Sequence, residues 1–194
     1  MDAHAFTQLA VSFVPAVASS LKVIESPFRL RDERSGDVLA REALLDAAFG
    51  AGRLAKTSER LREGRLPAEG LSFVATVDGE VAGTLRFWHI EAGCQPVLLL
   101  GPLAVAARHR SLGLGGALMR HGLARAKKFG HEAVILVGDA PYYGRFGFTR
   151  LPEGKLRMPG PVDPARFVGL DLVPGTLARA EGRIVGTGLI VERR

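Results

Sequence analysis

Arg110-Ser111-Leu112-Gly113-Leu114-Gly115-Gly116 stands between an apolar strand and an amphipathic helix, and the fold turns on how that junction is read. Before it, Val97-Leu98-Leu99-Leu100 and Leu103-Ala104-Val105 are continuously apolar, as expected of a strand covered on both faces. Gly101-Pro102 interrupts that run. Proline cannot donate to a ladder, so a bulge is expected there, twisting one strand from its neighbour and opening a gap in the sheet. After the junction, Leu118, Met119, Leu123, Ala126 and Phe129 fall on one helical face, with Arg120, Lys127 and Lys128 opposite and Gly130 as a stop. Ala133 to Val137 reads as a second buried strand. Strand, loop, helix and strand in that order form a crossover between parallel strands, which places the loop at the C-terminal end of the first.

At such a junction the first helical amides lack intrahelical partners and the macrodipole is positive, which suits phosphate oxygens. Gly113 and Gly115 would let a ligand come close to the backbone, and Arg108, His109 and Arg110 add positive charge beside it. The loop alone is equally consistent with a tight turn that uses glycine only for its dihedral freedom. Two other phosphate loops fit poorly. The Walker pattern needs Gly-Lys-Ser/Thr, which is absent, and a dinucleotide fold needs a third glycine at a spacing that Gly113-Leu114-Gly115-Gly116 does not offer.

Working outward, Phe28 to Arg31 alternates like a strand, and Asp37 to Phe49 is apolar at helical spacing up to Gly50. A weaker helix is predicted over Lys56 to Glu63. Leu71 to Val77 and Val81 to Ile90 flank Asp78-Gly79, a hairpin signal. Beyond the second buried strand, Pro141 to Phe146 predicts a short helix. Phe167 to Val173 and Ile184 to Val191 predict antiparallel strands with Glu181-Gly182 at a turn.

The 194 residues, 47% hydrophobic and 24% charged, suit a soluble domain over residues 27 to 194. Residues 1 to 26 form an extension expected to pack on the body or on a second subunit, so a homodimer is among the expected assemblies. A net charge of +6 favours an anionic ligand, but the arginines are scattered, so nucleic acid is not an expected partner. Cys94 alone cannot form an internal disulfide, and no Cys/His cluster offers a metal site. The stretch from Phe6 to Ala18 ends in Ala16-Val17-Ala18, like a signal-peptidase site, yet Asp2 and His4 stand where basic residues are needed and Pro15 interrupts it. With no run long enough to cross a membrane, a cytoplasmic location is expected.

Taken together these segments resemble the GNAT superfamily of N-acetyltransferases, whose coenzyme loop is Arg/Gln-x-x-Gly-x-Gly/Ala after a central strand; Arg110 to Gly115 fits every fixed position. Leu100 to Val105, Gly138-Asp139 and Tyr142-Tyr143-Gly144-Arg145-Phe146-Gly147-Phe148 look like the YhbS-like branch. The similarity runs from residue 28 to the C-terminus and is strongest over 97 to 150. The resemblance implies a mixed α/β (α+β) fold: a mostly antiparallel central sheet, splayed at one parallel strand pair and flanked by helices. It also implies acetyl-CoA as co-substrate. Its pantetheine arm would pair with the backbone of Leu103, Ala104 and Val105, and its pyrophosphate would lie on Leu112 to Gly116, with Arg110, Ser111 and Leu114 in the same loop. An amine would attack the thioester directly, a backbone amide of the central strand would stabilise the oxyanion, and Tyr143 would supply a proton to the departing thiolate.

Tyr143 by itself reads more readily as a packing aromatic, and it is the resemblance that points to the catalytic role. For the base, His89, Glu91 and Asp139 are candidates, with Asp139 better suited to capping the short helix. The acceptor pocket is expected from loops near 50 to 70, 91 to 96 and 153 to 166. The alternative to an enzyme is a non-catalytic acyl-CoA-binding regulatory module, which would keep Arg110 to Gly116 without needing Tyr143.

Overall fold

Asp78 and Gly79 both adopt positive φ, 49° and 85°, the geometry of a two-residue hairpin turn that matches the twist of the strands it joins. Around this hairpin the structure, a computed structural model, describes residues 26 to 191. The extension expected at residues 1 to 26, with the stretch from Phe6 to Ala18, lies outside the described residues except for Ser26. In chain order the elements are β1 (Arg29–Asp32), α1 (Val38–Phe49), β2 (Ser72–Val77), β3 (Glu80–Ala92), β4 (Gln95–Val105) and α2 (Leu114–Lys128). There follow β5 (Ala133–Val137), α3 (Ala140–Gly144), β6 (Thr149–Arg150), β7 (Leu156–Arg157), β8 (Phe167–Asp171), α4 (Thr176–Arg179) and β9 (Gly182–Gly186).

The main sheet runs β1-β2-β3-β4-β5-β8-β6. Each neighbouring pair along it is antiparallel except β4 with β5, which is parallel across the α2 crossover. This is the mixed, mostly antiparallel sheet that the resemblance implies. Side chains alternate along β4 and both faces are covered. Leu98 and Leu100 pack with Phe73, Phe87, Leu118 and Met119 under α2, whereas Val97 and Leu99 pack with Trp88, Ile90, Phe167 and Ile184 on the other face.

Three local expectations are corrected. Residues 51 to 61 form two 3-10 turns, Ala51–Ala55 and Thr57–Leu61, instead of a helix, because Lys56 between them is extended. The last strand ends at Gly186, and Gly182 lies inside it. β9 does not pair with β8; it takes the edge of β3 that β2 leaves free, Ile90 to Ala92, and only three residues fit there. Phe129 is 48% exposed, because α2 closes at Lys128 and the ring turns back against Gly70.

Helix α2 sits so close to the sheet that a Cβ on Gly122 would stand 2.7 Å from Phe87 and 2.8 Å from Leu85. Gly122→Ala gains about 1 kcal/mol of helix propensity. Overpacking costs about 1–3 kcal/mol. We therefore expect net destabilisation, read as a lower denaturant midpoint.

Candidate active site

β4 and β5 pair only at Leu98 with Val134 and Leu99 with Ile135, and then diverge. The bulge expected at Gly101-Pro102 is present. Leu85 opposes Leu103 and Phe87 opposes Leu100, so Gly101 and Pro102 together face Arg86 alone. Trp88 Nε1 donates to the Gly101 carbonyl at 2.6 Å, satisfying one group that the irregularity would otherwise strand. From Leu100 to Val105 the edge of β4 turned toward β5 has no strand partner among the described residues.

This divergence opens a cleft of about 750 Å³. Its floor is Leu100 to Val105, and one end is the start of α2, with Arg110, Gly113, Gly115, Gly116 and Arg120. Val137, Gly138, Asp139, Tyr142 and Tyr143 form the wall across from β4, and Arg53, Lys56, Glu59, Arg62 and Arg166 also line it. Leu103, Ala104, Val105, Arg110, Gly113, Gly115, Gly116 and Tyr143, all singled out in the sequence, thus share one cavity. Ser111 and Leu112 lie exposed on the 3-10 turn Ala107–Leu112, and Leu114 sends its side chain into the core, leaving only its backbone toward the loop.

Gly113 takes φ 78°, the left-handed conformation that turns the chain from the 3-10 segment into α2. At Gly115 the space is filled by a neighbour: a Cβ would stand 2.8 Å from the Tyr142 hydroxyl. The first turn of α2, whose amides lack intrahelical partners, thus lines the cleft beside two tyrosines, with Arg110 and Arg120 adding charge of the sign that suits a phosphate.

The tyrosines are held by a local device. Asp139 Oδ2 accepts from the Tyr142 amide at 3.2 Å and caps α3, as the sequence suggests, while Pro141 occupies the first turn. Tyr143 then packs edge-on to Tyr142 at 5.0 Å and to Phe148 at 5.9 Å. Burial, reinforced by Tyr142, pushes the Tyr143 phenol up to about 12. Burial also raises Tyr142, opposed by Arg145, whose guanidinium lies 4.5 Å over its ring. A Cβ on Gly138 would meet the Tyr143 ring at 2.2 Å. Gly138→Ala is therefore expected to displace Tyr143 and cost about 1–3 kcal/mol in denaturant unfolding.

His89 and Glu91 pair with Leu98 and Pro96, at the opposite end of β4, and do not line the cleft. The turn at 91 to 96, with exposed Cys94, is likewise remote, whereas segments 50 to 70 and 153 to 166 do supply walls. Sequence reasoning missed Arg53, Lys56, Glu59, Arg62 and Arg166. Arg53 ends a charge chain. Glu33 is buried between Arg86, which donates at 2.5 and 2.8 Å, and Arg41, which also bonds Glu42 at 2.6 Å. Glu42 and Asp46 in turn hold Arg53 at 2.5 and 2.6 Å.

Residues 40–148 match the family model described as the acetyltransferase (GNAT) family. The chain is 34% identical over 141 residues to the N-acetyltransferase YhbS of Escherichia coli K12, covering 71% of this chain and 83% of that protein. The crystal structure of Escherichia coli YhbS in complex with CoA superposes with a TM-score of 0.71 at 30% identity, covering 86% of this chain and 96% of that one. A GNAT family acetyltransferase from Brucella melitensis in complex with acetyl-CoA gives 0.63 at 27% identity, covering 84% and 97%.

Proposed function

The chain belongs to the acetyltransferase (GNAT) family, and we propose that it transfers acetyl from acetyl-CoA directly to an amine, with residues 27 to 194 acting as one domain in the cytoplasm. The observation that carries this reading is the unpaired edge of β4 opening beside the start of α2, with Tyr143 across the gap. The same cleft fits acetyl-CoA chemically. Free backbone groups of Leu103 to Val105 suit an amide-bearing arm, and unpartnered amides at Gly113 to Gly116 suit a pyrophosphate. When bound, acetyl-CoA supplies the activated acetyl thioester. The crystallised relatives that hold CoA and acetyl-CoA support the assignment. No helix among the described residues is long and apolar enough to cross a membrane.

Tyr143 serves as hydrogen-bond donor to the sulfur as it leaves. With the phenol at about 12 and a thiol near about 8.5, complete proton transfer is uphill by about 5 kcal/mol. A hydrogen bond that strengthens as charge develops avoids most of that cost, and burial keeps the donor protonated. The position of Tyr143 inside the cleft favours catalysis over an acyl-CoA sensor, which would need only the loop. Incubated with acetyl-CoA and a panel of amines, the protein is expected to release free CoA and to yield an amine heavier by one acetyl group. Binding without transfer to any amine would count against the catalytic reading.

A further inference from the structure

The part of the cleft away from α2 is built from two distant segments tied to each other. Thr57 Oγ1 donates to the Pro161 carbonyl at 2.6 Å, and Arg60 donates to the Pro159 carbonyl at 2.9 Å. Arg53, Lys56, Arg62 and Arg166 face it with Glu59 as the carboxylate on those two segments. Arg53 is already matched by Glu42 and Asp46. Arg62 is matched only in part. Its side chain is 9% exposed, and one nitrogen donates to Glu59 at 2.6 Å. Its Nε is buried with no partner. Its NH1 lies 3.8 Å from where a Cβ would stand on Gly101 at the bulge. The guanidinium carbon is 5.9 Å from the Trp88 ring centre, so the group is held in place with donors unspent. Glu59 offsets part of the cost of burying this cation, but desolvation and the nearby Arg53 and Arg86 work against it, so a second anion at its remaining donors is favoured, and a two-oxygen anion suits a planar fork.

We propose that the acceptor is a small amine carrying a carboxylate a few bonds from its nitrogen, an amino-acid-like molecule whose carboxylate Arg62 binds, with Lys56 and Arg166 favouring its entry. This deepens the acetyl-transfer reading and rests on it. The spacing follows from the strand. An arm anchored at the start of α2 and paired along β4 from Val105 to Gly101 covers roughly 13 Å. Its reactive end then reaches the residue that Arg62 borders, so carboxylate and reacting amine must lie close together. In the step, the amine nitrogen bonds to the acetyl carbon as the carbon–sulfur bond breaks. The amine proton passes to water, and the sulfur leaves as a thiolate held by the Tyr143 hydrogen bond and takes its proton from water. Polycations such as spermidine face Lys56, Arg62 and Arg166 and are excluded by like charge.

The test measures CoA release with the common α-amino acids, with their α-amides, and with spermidine, alongside calorimetric binding of acetyl-CoA. At least one amino acid is expected to be acetylated, with kcat/KM about 100-fold above that of its amide. Arg62→Lys, shown to be folded by circular dichroism, is expected to raise KM for that amino acid about tenfold and leave acetyl-CoA affinity unchanged, because lysine lacks the fork. Equal rates with the amide, preference for spermidine, or transfer to other amines with no amino acid accepted would overturn the proposal. The amide comparison does so without any variant. Failure to bind acetyl-CoA, or binding without transfer to any amine tested, would instead overturn the acetyltransferase reading beneath it.

Discussion

Tyr143→Phe is expected to lower kcat about 100-fold while leaving the Kd for acetyl-CoA unchanged. Positioned acids contribute about 10²–10⁴-fold, and the lower end applies because the buried phenol donates a hydrogen bond more readily than it surrenders a proton. Removing one hydroxyl preserves the packing of the ring against Tyr142 and Phe148, so the fold should hold. Because burial raises the phenol to about 12, Tyr143 stays protonated as pH rises and its ionisation should produce no alkaline loss of rate until pH approaches that value. Unchanged turnover in the phenylalanine variant would make Tyr143 a packing aromatic.

Gly115→Glu is expected to weaken acetyl-CoA binding about 1000-fold. A carboxylate about 4 Å from a phosphate at an effective dielectric constant of about 20 is unfavourable by about 4 kcal/mol, and that difference corresponds to about three decades in Kd. The helix should not suffer. An acidic residue in the first turn of α2 interacts favourably with the macrodipole, and the contact to be displaced is the Tyr142 hydroxyl, the far end of a side chain. Gly113 is the poorer site for such a test, since its φ of 78° makes any side chain strained.

What could be read in advance follows from how local each signal is. Asp78-Gly79 specifies its own turn. The continuous apolar run of β4 announces burial on both faces, and Pro102 announces the bulge, because each depends on residues a few positions apart. The loop and tyrosine motif were legible for the same reason. Segments 50 to 70 and 153 to 166 were expected to supply walls and do, but the individual residues that line the cleft there were not legible. Glu59 lies in a short 3-10 turn with no periodic pattern and Arg62 directly follows it, and their position is set by bonds from Thr57 and Arg60 to Pro161 and Pro159 far along the chain. The place of β9 was equally hidden, because it depends on where β2 stops covering β3. His89 and Glu91 were rightly put near the end of a strand bordering β4. The cleft, however, opens on the other side of the bulge, and their register with Leu98 and Pro96 shows it.

The most direct test is a calorimetric titration of the purified protein with acetyl-CoA beside the folded Gly115→Glu variant. Saturable binding of one acetyl-CoA per chain by the parent, and none measurable in the variant at the same concentrations, is expected. No binding by the folded parent, or equal binding by both, would contradict a coenzyme site at the start of α2 and leave the glycines of the loop as a structural turn.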